Sequence, residues 1–114
     1  MAHPNVIRRG DLSGWPGEDL VGAGHGLPIA VIFNDSEPGR GPQLHRHPYD
    51  ELFVVQEGVA TFTIDGEQVE AHAGDILVAR ANQAHGFVNS GKTRLRSVNI
   101  HMSPTFSTEW LEEG

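Results

Sequence analysis

From residue 43 onward, apolar and polar positions alternate in short runs: QLHRH, ELFVVQ, VATFTI, EQVEA, DILVAR, HGFVNS and RLRSVNIHM. Side chains two residues apart share one face of a strand, so each run predicts a short strand. Turn residues separate them: PYD, EG, DG, AG, ANQA and GKT. Asp65-Gly66 is the sharpest of these signals, because a type I′ hairpin turn needs positive φ at both central positions. Upstream, LPIAVIFN over 27–34 is apolar without alternation and predicts a strand buried on both faces, ended by DSEPGRGP. About eight strands at this spacing, with no helical period between them, predict an all-β antiparallel barrel or double-sheet jelly roll.

The flanks lack this regularity. Residues 1–26 carry Gly10, Gly14, Pro16, Gly17, Gly22, Gly24 and Gly26, which predicts an irregular lead-in over the domain, anchored by Trp15. The tail 103–114 holds Phe106, Trp110 and Leu111 among polar residues and reads as a final helical turn, with Ser107 as its N-cap, docked on the barrel or a neighbouring subunit. The expected organisation is one domain over 1–114, with the barrel at 27–102.

A chain of 114 residues supports a single core. Fifteen acidic against eight basic residues give a net charge of −7, which argues against a nucleic-acid partner because phosphate binding wants a clustered basic face. No stretch has the length or apolarity to span a membrane, and the N-terminal residues lack the apolar core of a signal peptide, so a cytoplasmic location is the expectation. With no cysteine, a disulfide framework, a zinc ribbon and a thiol nucleophile are closed, and any soft-metal chemistry must run through imidazole. Seven histidines in so short a chain are another matter.

His45 and His47 are two apart on a strand, so their imidazoles project the same way from Cα atoms roughly 6.6 Å apart. Pro48 has no N–H for a ladder, so Pro48-Tyr49-Asp50 is expected to turn as a hairpin. Glu51 would then open the next strand opposite His47, its carboxylate in the same pocket. His85 follows the loop ANQA at a strand start and supplies a distant fourth ligand. Arg46 and Asp50 fall between the ligands as spacers.

These positions resemble the cupin family closely. Its first motif, G-x5-H-x-H-x(3 or 4)-E-x6-G, is met by Gly39, His45, His47, Glu51 and Gly58 at every spacing. Its second, G-x5-P-x-G-x2-H-x3-N, is met by Gly74, His85 and Asn89, with Arg80 in place of the proline and Asn82 in place of the glycine. Asparagine tolerates the left-handed conformation that a glycine would take there. The resemblance implies a double-stranded β-helix barrel, a metal bound by His45, His47, Glu51 and His85, and frequent dimers.

Imidazole and carboxylate together suit one divalent transition metal, whether iron, manganese, nickel, copper or zinc. Strand parity puts Phe53 and Val55 beside Glu51, Phe87 and Asn89 beside His85, and Gln43 beside the first two histidines, so these five are the expected pocket residues. On 97–101, Ser97, Asn99 and His101 alternate with Val98 and Ile100. Solvent is the first expectation for that polar face; if it turns inward, His101 becomes an acid/base candidate along with Tyr49. His72 is expected to be exposed.

The leading function is a metal-dependent dioxygenase-like enzyme whose small-molecule substrate chelates the open edge of the metal. A metal-assisted isomerase, lyase or decarboxylase and a non-catalytic ligand-binding cupin are the alternatives. Leu52 and Val54, opposite Glu51 and Phe53, need cover that a second copy would supply as a homodimer.

Overall fold

The computed structural model describes residues 3–12 and 19–111, so Trp15 lies outside the described residues. Ten strands are present: β1 Asp19–Leu20, β2 Ala30–Ser36, β3 His45–Arg46, β4 Glu51–Glu57, β5 Val59–Ile64, β6 Glu67–His72, β7 Ile76–Ala79, β8 His85–Asn89, β9 Leu95–His101 and β10 Glu109–Trp110. They form two five-stranded antiparallel sheets, ordered β1-β2-β9-β4-β7 and β10-β3-β8-β5-β6. The chain therefore passes repeatedly between the sheets, which is the jelly-roll winding the alternating runs predicted. No helix among the described residues is long and apolar enough to cross a membrane.

The predicted hairpin at Asp65-Gly66 forms with φ of 47° and 83°, joining β5 to β6 in full register from Ile64↔Glu67 to Val59↔His72. Asn82 takes φ 64°, so asparagine does adopt the left-handed turn before His85. Two expectations need correction. The first apolar run starts its strand later, at Ala30, and continues through Asp35 and Ser36, because β2 pairs with β9 along seven positions down to Ser36↔Leu95. The tail makes a two-residue strand, not a helical turn: Glu109↔Arg46 and Trp110↔His45 continue the second sheet. An open edge beside β3 offered unpaired backbone groups, and pairing satisfies them more fully than one helical turn would.

The space between the sheets is divided. One end holds the apolar core of Phe53, Val55, Ala60, Phe62, Ala71, Ala79, Phe87 and Leu95. Phe53, Phe62 and Phe87 meet edge-on or tilted, with centroids 4.9 to 5.9 Å apart. The other end holds His45, His47, Glu51, His85 and His101, all buried. Phe53 stands at the border, 5.8 Å from the His85 ring. On the outside of the first sheet, Val31, Ile100, Leu52 and Val78 form one row across four strands, and Phe33, Val98, Val54 and Ile76 form the next. Arg9 lies over Phe33 at 4.2 Å and covers one end of this apolar face.

Asn89 and Val55, both expected in a pocket, are structural. Val55 belongs to the apolar core. Asn89 is 1% exposed and donates to the carbonyls of Ser36 (3.0 Å) and Thr93 (2.8 Å), while its Oδ1 accepts from the Gly91 N–H (3.0 Å). That staples the Gly91 turn to the end of β2, and its loss would leave the Ser36 and Thr93 carbonyls without this donor. Asn89→Ala is expected to destabilise the fold by about 2–4 kcal/mol, read as a lower urea midpoint with an unchanged slope. A midpoint equal to that of the unsubstituted protein would show the staple to be dispensable.

Candidate metal centre

The buried histidines and Glu51 come from both sheets. His45 and His85 are direct cross-strand partners on β3 and β8, and Glu51 faces His101 across β4 and β9. His47 follows β3. The hairpin expected at 48–50 does not form: the segment crosses from one sheet to the other, and Glu51 pairs with Ala79 and His101. Long-range hydrogen bonds impose this path. The Asp50 carboxylate accepts from the Ala81 N–H at 2.9 Å, the Asp50 carbonyl accepts from Met102 at 3.0 Å, and the His47 carbonyl accepts from Asn82 at 2.6 Å. Asp50 is thus a crossing anchor where the sequence suggested a spacer. Arg46 points outward and pairs with Glu109. The carboxylate consequently reaches the histidines from the opposite wall.

One ligand atom each from His45, His47, Glu51 and His85 falls within 4.8 Å of all the others. Glu51 Oε1 lies 3.0 Å from His47 Nε2 and 3.2 Å from His85 Nε2. The other ring nitrogen of each imidazole is committed to a carbonyl: His45 Nδ1 donates to Gln43 (2.6 Å), His47 Nδ1 to Ser107 (2.8 Å) and His85 Nδ1 to Gln83 (2.9 Å). A carbonyl only accepts, so the proton of each neutral ring sits on Nδ1 and the Nε2 lone pair turns inward. Three lone pairs and Glu51 Oε1 then face one another with no donor among them, and His47 Nε2 is buried with no hydrogen-bond partner. A divalent cation resolves that conflict. The donor set of three imidazole nitrogens and one carboxylate oxygen fits a first-row transition metal, with each ring oriented as metal-binding histidines are.

The carboxylate and the rings also shift one another's protonation. Burial works to raise the Glu51 carboxyl, but the contacts with His101, His47 and His85 override it and hold the group below the usual carboxylate range. Burial pushes His45 down to about 4, helped by the neighbouring His85 and His47, so it presents a neutral ring. For His85, burial works downward, while Glu51 and the Gln83 carbonyl more than offset it and raise the group.

A cavity of about 860 Å³ opens directly on the cluster, touching His45, His47, Glu51 and His101, while His85 closes the inner end. Gln43, Phe53 and Phe87 line it, as their parity predicts. His101 corrects the solvent expectation: it is 2% exposed and lines the cavity. The reason is the row of valine and isoleucine on the same strand, which takes the outer face and turns Ser97, Asn99 and His101 inward. Tyr49 does not line the cavity; it stands behind His101, with its hydroxyl 2.7 Å from His101 Nδ1. Burial raises the Tyr49 hydroxyl above its ordinary value. His72 is exposed, as expected, beside Glu70.

Sequence reasoning missed Ile32, Asn99 and the tail residues Phe106, Thr108 and Trp110 as cavity walls. The parity of 97–101 carried the signal for Asn99. No local signal carried it for the tail, whose Phe106 and Trp110 rings sit 4.8 Å from His101 and 4.9 Å from His45.

Comparison with known proteins agrees with this geometry. An uncharacterized conserved protein with a double-stranded β-helix domain from Klebsiella pneumoniae is 26% identical with TM-score 0.70, over 75% of this chain and 72% of the other. A cupin superfamily protein from Desulfitobacterium hafniense is 19% identical with TM-score 0.61, over 65% and 66%. An oxalate decarboxylase from Lactobacillus farciminis shares the fold at 23% identity and TM-score 0.69, over 75% of this chain but 27% of its own. No curated protein sequence matches at a significant level. The cupin domain model matches residues 35–101, more than half of the sequence and every residue of the histidine and glutamate cluster, and the chain belongs to the cupin family.

Proposed function

We propose that this cupin is a metal-dependent oxygenase acting on a small molecule that chelates through oxygen and is otherwise largely apolar. The observation that carries this is the cavity itself: the four-ligand set opens on one side into a chamber walled by Ile32, Phe53, Phe87, Phe106 and Trp110. A bound divalent ion would be held by His45, His47, Glu51 and His85 and would supply Lewis acidity, and electron exchange if it is iron, manganese, nickel or copper. The aromatic walls receive the apolar body of the substrate and keep water from it. Gln43 and Asn99 offer amide groups to orient it. A substrate larger than oxalate suits this volume, and the likeness to the oxalate decarboxylase extends to the fold alone.

A second reading, Lewis-acid isomerisation or decarboxylation, is supported by His101, whose ring lies between the Glu51 carboxylate and the Tyr49 hydroxyl at the cavity wall. The two differ in their need for oxygen. Protein loaded with iron, manganese, nickel or copper and supplied with enols, catechols and β-diketones is expected to consume oxygen in a substrate-dependent way. Turnover that persists without oxygen and is lost in His101→Ala would transfer the assignment to the second reading. Tight metal binding with no turnover of any compound would leave a binding cupin.

Metal analysis of purified protein is expected to show about one transition-metal ion per chain, with His47→Ala and His85→Ala each lowering affinity at least about 100-fold. Metal-free protein that also fails to bind zinc, manganese or iron on titration would overturn the centre altogether.

We further propose a homodimer through the outer face of the first sheet. Its eight apolar side chains carry no charge in a chain of net charge −7, and Ile76 at the free edge is 61% exposed. Val54→Lys at the middle of the face is expected to convert dimer to monomer in light scattering. A monomeric unsubstituted protein would refute the pairing.

A further inference from the structure

The four buried imidazoles around Glu51 are not equivalent, and for two of them the difference traces to one residue of the C-terminal segment. We propose that the backbone of Ser107 is a positioning element that sets two of them apart, His47 as a metal ligand and His101 as a hydrogen-bond donor. This rests on the metal-centre reading above. The Ser107 carbonyl accepts from His47 Nδ1 at 2.8 Å, with Thr108 Oγ1 a longer neighbour at 3.3 Å, so the His47 proton is held on Nδ1 and Nε2 is free to ligate. The Ser107 N–H, 3.1 Å from the Tyr49 oxygen, donates to it. The tyrosine proton then goes to the one acceptor left within reach, His101 Nδ1 at 2.7 Å. With Nδ1 accepting, neutral His101 carries its proton on Nε2.

One residue therefore sets opposite tautomers on two histidines. The consequence is functional. A fourth Nε2 lone pair would compete for the metal and close part of the edge that a substrate needs. As a donor, His101 faces the second carboxylate oxygen instead: its Nε2 is 3.2 Å from Glu51 Oε2, while Oε1 faces His47 and His85. That contact sets an N–H against the carboxylate in a place closed to solvent. Phe106 and Trp110, on either side of Ser107, rest on His101 and His45 and hold the segment over the centre.

The test is a two-bond nitrogen–proton correlation spectrum of the full-length, ¹⁵N-labelled protein, recorded metal-free at neutral pH. His45 and His47 are expected with the proton on Nδ1, and His101 with the proton on Nε2. Tyr49→Phe and Ser107→Pro each remove one link of the chain to His101 while keeping the Ser107 carbonyl. In both, His101 is expected to become a tautomer mixture while His47 stays unchanged. Tyr49→Phe keeps the ring, so it decides the matter if the proline variant fails to fold. A proton on His101 Nδ1 in the unsubstituted protein, or a His101 signal unmoved by Tyr49→Phe, would overturn the proposal. Failure of the unsubstituted protein to bind zinc would instead overturn the metal centre, and the metal-free spectrum would still decide the tautomers.

Discussion

A carboxylate buried between two sheets is the constraint on which the rest of this structure depends. Taking a charge out of water costs several kcal/mol unless partners replace the solvent. Glu51, 3% exposed, is surrounded by His47, His85 and His101, and the net effect of burial and contact is to keep it ionised. None of those partners is itself free to move. Two of them, like His45, are tied through Nδ1 to backbone carbonyls, and the fourth ring is tied to a tyrosine. The charge and the neutral lone pairs around it form a site whose remaining need is a cation.

The division of the interior follows from the same constraint. Polar ligands cannot share space with a packed aromatic core without leaving groups unsatisfied, so the polar set occupies one end and the phenylalanines the other. Phe53 is the boundary side chain, two residues from Glu51 on one face of β4. The alternation that brings the carboxylate in brings the aromatic wall in with it, and the wall of the cavity is at once the top of the core. Leu52 and Val54, by the same parity, are left on the outside of the sheet.

Much of this was legible beforehand. Strand positions from Glu51 to His101 follow their alternation almost residue for residue, because in a two-sheet barrel each strand has one interior face and parity is then decided by packing. The ligand spacing in HRHPYDE and the distant His85 were legible for a related reason: a strand fixes which side chains share a direction. Asn82 kept the turn that its position required. The misjudged polar face of β9 shows the limit of parity. Alternation tells which residues share a face but not which face is inside, and a polar row can be interior wherever ligands, not solvent, satisfy it.

By itself, then, the sequence determined the strand pattern, the family and the candidate ligand set, since these depend on local periodicity and on residue types at set separations. Only the tertiary structure decided that the crossing at Pro48-Tyr49-Asp50 carries Glu51 to the opposite wall, that His101 turns inward, and that the C-terminal segment forms a strand over the histidines. Each of these depends on hydrogen bonds between residues far apart in the chain, such as His47 with Ser107, Tyr49 with His101, and Asp50 with Ala81. Such bonds leave no period in the sequence, because the partners meet only after both sheets have closed.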